Sequence, residues 1–131
     1  MADTLPPTDG TLLDRMGITI DEVTPQRATG SMPVAGNTQP YGLLHGGASA
    51  VLAETLGSYA ATAHAGAGRA AVGIELNATH HRSVREGSVH AVATAVHLGS
   101  NLACYEVVVA DDEGRRVCTA RLTCMLIDVR T

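Results

Sequence analysis

Glu54 is the only ionisable side chain between Gly46 and Tyr59, within GGASAVLAETLGSYAATAH, a stretch otherwise built of small, apolar and hydroxyl residues. A buried carboxylate costs several kcal/mol unless it is paired, hydrogen-bonded or protonated. No Arg or Lys stands three or four residues away to relieve it. Such a carboxylate either faces a solvent channel or works as a nucleophile or base with a tuned pKa. Immediately upstream runs Gln39-Pro40-Tyr41-Gly42-Leu43-Leu44-His45-Gly46-Gly47. A helix start presents unpaired N–H groups and the positive end of the dipole, and two glycines there let a ligand oxygen approach closely. That is the requirement of an oxyanion hole. Alone, Gly46-Gly47 is a softened turn; with Glu54 two turns downstream and Gln39 upstream it becomes a candidate site. Ser58, four residues after Glu54, shares its face and either orients the carboxylate or a water, or bonds back to the Glu54 carbonyl. His45 either positions the glycine turn or serves as a structural hydrogen-bond partner.

The six histidines do not suggest a metal. His80 and His81 are adjacent, so on a strand they point to opposite faces, and His90 and His97 differ in parity. Cys104, Cys118 and Cys124 are odd in number and include no CxxC pair. On one strand Cys118 and Cys124 would stand about 20 Å apart, too far to bridge. Free thiols in a reducing compartment are expected.

The elements that must hold these groups follow from periodicity. Asp9 to Met16 predicts a short helix ending at Gly17, with Asp9 as N-cap. Ile18 to Val23 and Arg27 to Val34 read as strands, residues 35 to 45 as turns, and Gly46 to His64 as a helix buried on most sides. Glu54 with Ser49, Thr55, Ser58 and Thr62 argues against that helix crossing a membrane. Beyond Gly66-Ala67-Gly68 the period changes to two. Val72, Ile74, Leu76 and Ala78 alternate with Gly73, Glu75, Asn77 and Thr79. Val89, Ala91, Ala93 and Ala95 form a second inner face, Leu102 to Ala110 a third strand, and Cys118, Ala120, Leu122, Cys124 and Leu126 line the last. Short connections favour an antiparallel four-stranded meander, hence an α+β fold with a curved sheet wrapped around one long helix.

Composition sets the outer limits. The chain of 131 residues, 45% apolar and 17% charged, predicts a single domain over 1–131 with no linker or repeat. Its net charge of −4 and lack of any basic run argue against nucleic acid or anionic lipid as partner. All nine basic residues are arginine. Met1 to Thr11 is polar and is not expected to be a signal peptide. With no Trp or Phe and only three Tyr, the core has little bulk per residue, and stability from a second subunit is expected.

QPYGLLHGGASAVLAETLGS, followed by VGIELNATHHRSVREG and HLGSN, resembles the hotdog-fold acyl-CoA thioesterases. The likeness is strongest to the branch with 4-hydroxybenzoyl-CoA thioesterase, 1,4-dihydroxy-2-naphthoyl-CoA hydrolase and the enterobactin proofreading thioesterase. It covers about residues 35 to 127. The resemblance implies Glu54 as nucleophile or general base and the Gly46 amide, helped by His45, as oxyanion donor. Gln39 would contact the thioester and Ser58 assist water, with Glu and Ser from one subunit and Gln, His and Gly from the other. Gly47, Tyr59, Gly73, His80, His81, Arg82, Ser83, His97, Gly99, Ser100 and Asn101 fall at positions near the acyl group or coenzyme A. Asn101 replaces a residue often basic in relatives, leaving Arg82 or Arg85 to meet the phosphates.

No cofactor is implied, since a thiolate with a pKa near ~8.5 leaves without strong acid help. The expected protein is a cytoplasmic homodimer, pairing into a dimer of dimers, that hydrolyses an aromatic acyl-CoA. A broad-specificity or medium-chain acyl-CoA or acyl-carrier thioesterase is the alternative. Hotdog hydratases carry a paired acid and base with motifs absent here. A non-catalytic acyl-CoA sensor would be expected to carry an effector domain for which 131 residues leave no room.

Overall fold

The computed structural model describes residues 6–129; most of the polar stretch Met1 to Thr11 is therefore seen only from Pro6 onward. Its elements are α1 (Leu12–Met16), β1 (Thr19–Val23), β2 (Arg27–Pro33), α2 (Gly46–Ala65), β3 (Arg69–His80), β4 (Ser88–Leu98), β5 (Leu102–Ala110) and β6 (Arg116–Asp128). The strands form one antiparallel sheet in the order β1-β2-β4-β5-β6-β3, packed around α2. This is the α+β arrangement the patterning predicts, a sheet around a central helix.

The inner face is built from the alternation read in the sequence. Val89, Ala91 and Ala93 of β4 meet Val107 and Val109 of β5 and Cys118, Ala120, Leu122 and Cys124 of β6. Against them lie Leu52, Ala53, Leu56, Ala60 and Ala61 of α2. Small residues let the helix lie close: a Cβ on Gly57 would sit 2.6 Å from Leu122 Cδ2. Tyr105, wholly buried, extends through this thin core and its hydroxyl donates to the Pro25 carbonyl. All three cysteines are free, as expected.

Three expectations are corrected. The last four strands are not a meander, because β3 pairs with β6 at the edge of the sheet and only β4, β5 and β6 are consecutive neighbours. Residues 81–87 make the crossover. Fully extended they reach about 23 Å, whereas three strand spacings need about 14 Å. The connector is tied across the open end of the sheet by His81 N–H to the Val117 carbonyl, Leu44 N–H to Val84 and Val34 N–H to Gly87.

The alternation in β3 also slips. A register shift between Gly73 and Glu75 makes Ile74 an extra residue, so Ala71 and Gly73, not Val72 and Ile74, share the inner face with Leu76 and Ala78. A bulge of this kind leaves one residue unpaired and turns the strand. Finally, Asp9 does not cap α1. Thr11 holds the N-cap position without a side-chain bond, and Gly17, at φ 74°, ends the helix in the left-handed conformation that glycine adopts without strain.

Candidate active site

The loop before α2 is a small built structure. Asn37, buried, donates from Nδ2 to the carbonyls of Met16 and Pro33, both at 2.8 Å. Beyond it Thr38 bridges to Leu44, and Gln39 N–H reaches the Leu43 carbonyl at 2.8 Å. The Gln39 side-chain oxygen accepts from Tyr41 N–H, and its NH2 group has no partner among the described residues. His45 caps the helix: its Nδ1 accepts from Gly47 N–H at 2.8 Å. That bond uses the Nδ1 lone pair and turns Nε2 away from the helix start. The first-turn N–H of Gly46 has no partner among the described residues.

Beside this N–H lies a cavity of about 300 Å³ lined by Gln39, Leu43, Leu44, Gly46, Ser49, His80, Arg82, Ser83 and Val117. Five residues singled out from sequence therefore meet in one place. His80 stands over Gly46 so closely that a Cβ there would be 2.8 Å from its Nε2. His81 goes the other way, its Nε2 2.9 Å from the Thr119 hydroxyl on the outer face of the sheet. The two histidines diverge as parity requires.

Glu54 lies on the face of α2 that its own sheet leaves partly open, together with Val51, Ser58 and Thr62. Its carboxylate rests on the bare Cα of Gly73, where a Cβ would come within 2.5 Å of Oε2. Among the described residues no ion pair involves Glu54. Ser58 lies beside the Cys124 thiol of β6, near enough to influence its titration. Burial pushes that thiol above its ordinary pKa, with Ser58 opposing and the Glu54 charge reinforcing the rise. Cys124 is thus the neighbour that sequence reasoning passed over; its inward position on β6, opposite Gly73, was the available signal. Tyr59, half-buried, likewise has its phenol held protonated by burial.

His97, Gly99, Ser100 and Asn101 lie in the β4–β5 hairpin at the far end of the helix. His64 Nε2 hydrogen-bonds the Gly99 carbonyl at 2.7 Å, and Arg69 Nη1 the Ser100 carbonyl at 2.9 Å. The 20 residues of α2 span about 30 Å, so one chain keeps this hairpin well away from the Gln39–Gly46 cavity. No group of three or more potential metal ligands occurs among the described residues, and no helix there is long and apolar enough to cross a membrane.

Comparison with known proteins identifies the family and the fold. The family model of the Thioesterase superfamily matches residues 41–118. The chain is 44% identical to the proofreading thioesterase EntH of Cronobacter sakazakii over 119 residues, 90% of this chain and 87% of the relative. It is 47% identical to its counterpart in Cronobacter turicensis, over 87% of this chain and 84% of that one. Among solved structures, a thioesterase of Haemophilus influenzae superposes with a TM-score of 0.90 at 35% identity, covering 95% of this chain and 87% of the other. A mutant thioesterase of Pseudomonas aeruginosa gives 0.89 at 40% identity, covering 93% and 89%. The chain belongs to the thioesterase superfamily, is a thioester hydrolase, and has the fold of the hotdog thioesterases.

Proposed function

We propose that the substrate is an aromatic acyl thioester of coenzyme A, hydrolysed in sites that two copies of the chain share. The observation that carries the shared site is a distance. Gly46 and Glu54 are eight residues apart on one helix, hence about 12 Å along its axis. A thioester carbonyl must lie within about 3 Å of both the attacking group and the oxyanion donor, so one chain cannot supply both. β3 is an edge strand with an unpaired side and with Val72, Gly73, Ile74 and Glu75 all exposed. A second copy pairing there about a two-fold axis satisfies that edge and sets its helix start beside Glu54.

In such a site Glu54 attacks the carbonyl carbon or deprotonates the attacking water. The Gly46 N–H of the second copy, held by the His45 cap, receives the oxyanion, and the free NH2 of Gln39 donates beside it. The C–S bond then breaks and the thiolate departs, giving the free acid directly where water attacks, or an anhydride on Glu54 that a second water hydrolyses to the acid and the free carboxylate. Arg82 and Ser83, in the cavity with Gly46, meet the pantetheine arm or phosphates, and the His97–Asn101 hairpin of the other copy meets the remainder of the nucleotide.

Exposed Val72, Met125 and Leu102 form one row across β3, β6 and β5, supporting a dimer of dimers through the outer face of the sheet. Three free cysteines support a reducing, cytoplasmic setting. The motif resemblance favours aryl groups, with 1,4-dihydroxy-2-naphthoyl-CoA and 4-hydroxybenzoyl-CoA foremost; coenzyme A or an acyl-carrier protein delivers them. Thiol release across aryl- and alkyl-CoAs tests the reading. Hydroxyaryl thioesters should give the highest kcat/KM, and palmitoyl-CoA turned over as well as every aryl thioester would defeat it.

A further inference from the structure

The tip of the β4–β5 hairpin is held by three other elements. His64 Nε2, near the end of α2, donates to the Gly99 carbonyl at 2.7 Å. Arg69, at the start of β3, donates from Nη1 to the Ser100 carbonyl at 2.9 Å and from Nη2 to the Leu126 carbonyl at 3.1 Å, with Asp128 on its Nε. The Leu126 N–H of β6 donates to the Asn101 carbonyl at 2.8 Å. Three successive carbonyls are thus turned toward the protein. A trans peptide points its N–H opposite to its C=O, so the N–H groups of Ser100 and Asn101 are turned the other way. Both residues are exposed, and neither N–H has a partner among the described residues. Gly99 lets the turn close on His97, whose Nε2 would stand 2.7 Å from a Cβ there.

Resting on the hydrolysis of a coenzyme A thioester proposed above, we infer that His64 and Arg69 are positioning residues for the nucleotide, holding the hairpin so that the N–H groups of Ser100 and Asn101 meet a phosphate oxygen. Successive N–H groups left free in a turn are a ready seat for an anion. The segment His97 to Asn101 has no Lys or Arg of its own, so positive charge comes from beside it. Arg69 brings that charge, and the planar fork of its guanidinium ties two carbonyls at once. Its partner Asp128 has a side chain 88% exposed, where water and salt screen it. The distance also fits. Glu54 and Ala65 stand eleven residues apart on α2, hence about 16 Å along its axis. An extended pantetheine arm carries its phosphates a comparable distance from the thioester sulfur. The helix sets the separation of hairpin and carboxylate, and the two side chains set which face the hairpin shows.

The experiment uses the full chain and four variants, His64→Leu, His64→Gln, Arg69→Met and Arg69→Lys, each checked for folding by thermal melting. Thiol release is measured with benzoyl-CoA and with benzoyl-N-acetylcysteamine, which offers the same acyl thioester without the nucleotide. Wild type should have the lower KM for benzoyl-CoA. His64→Leu and Arg69→Met should each raise that KM about tenfold, the scale of one hydrogen bond to a charged group, with kcat changed less than about twofold. Their kcat/KM on benzoyl-N-acetylcysteamine should stay within about twofold of wild type, which a general loosening of the fold would not allow. His64→Gln, which keeps an N–H donor, should recover most of the KM, and Arg69→Lys, with the charge but not the fork, only part of it. Folded His64→Leu and Arg69→Met proteins that keep the wild-type KM for benzoyl-CoA, or that lose equally on both thioesters, overturn the positioning role alone. A wild type with the same kcat/KM on both thioesters overturns recognition of the nucleotide. One that releases no thiol from either overturns the hydrolysis on which the inference rests.

Discussion

The carboxylate of Glu54 lies on Gly73, at the one point of β3 where the strand bulges. The glycine and the bulge have one explanation. Any side chain on the inner face there would occupy the carboxylate's place, and the extra residue Ile74 lets β3 bend past it. Gly73→Ala should therefore fold but displace Glu54. A misplacement of about 1 Å costs on the order of 10²-fold, so kcat should fall by about that factor while secondary structure by circular dichroism is retained. An alanine variant with full activity would show that the contact has no role.

Glu54→Gln should keep fold and assembly and lower kcat by about 10³-fold or more, roughly 4 kcal/mol of transition-state stabilisation. A loss under about tenfold in a folded variant would remove Glu54 from the chemistry.

His45 links stability to the proposed oxyanion site because one atom, Nδ1, holds Gly47 N–H. His45→Ala should cost about 1 kcal/mol, the usual value of an N-cap, and reduce kcat as the first turn frays. His45→Asn should restore most of the melting temperature. Equal stability of the histidine and alanine proteins would argue that the cap is not formed in solution.

The turn after β5 carries the acid sensitivity. Asp111, buried, is pushed up by burial but drawn further down by bonds from the Arg115 N–H and guanidinium and from Glu113 N–H; Asp112 is lowered chiefly by His90 and by Ser88 N–H. A carboxylate whose folded pKa is depressed stabilises the protein above its unfolded value of about 3.9 and loses that contribution as pH falls through the folded value. The melting temperature of Asp111→Asn should lie below wild type at pH 7, and the gap should close below about pH 4. A gap independent of pH would contradict the linkage.

How much of this was legible in the sequence depended on range. Periodicity of two placed Cys118, Ala120, Leu122, Cys124 and Leu126 on one face because alternation is local to the strand. The isolation of Glu54 and the glycines before it are also local, and they marked both halves of the proposed site. What escaped was set between distant segments. That β3 pairs with β6 depends on a crossover whose seven residues carry no pattern of their own. The slip at Ile74 falls where β3 meets Glu54, twenty residues upstream. The approach of Ser58 to Cys124 depends on the sheet closing over the helix, so neither residue's sequence neighbours could reveal it.

The separation of Gly46 from Glu54 along α2 makes the shared site the central claim, and mixing inactive subunits tests it directly. Glu54→Ala and Gln39→Ala proteins, each nearly inactive, are unfolded together, refolded at equal concentration and assayed for thiol release. A heterodimer then holds one site with both residues intact and one with neither. Half of randomly paired two-fold dimers are heterodimers, so the mixture should recover about a quarter of wild-type activity. Activity no greater than that of the two parents, with heterodimers demonstrated by mass, would contradict a site built from two copies.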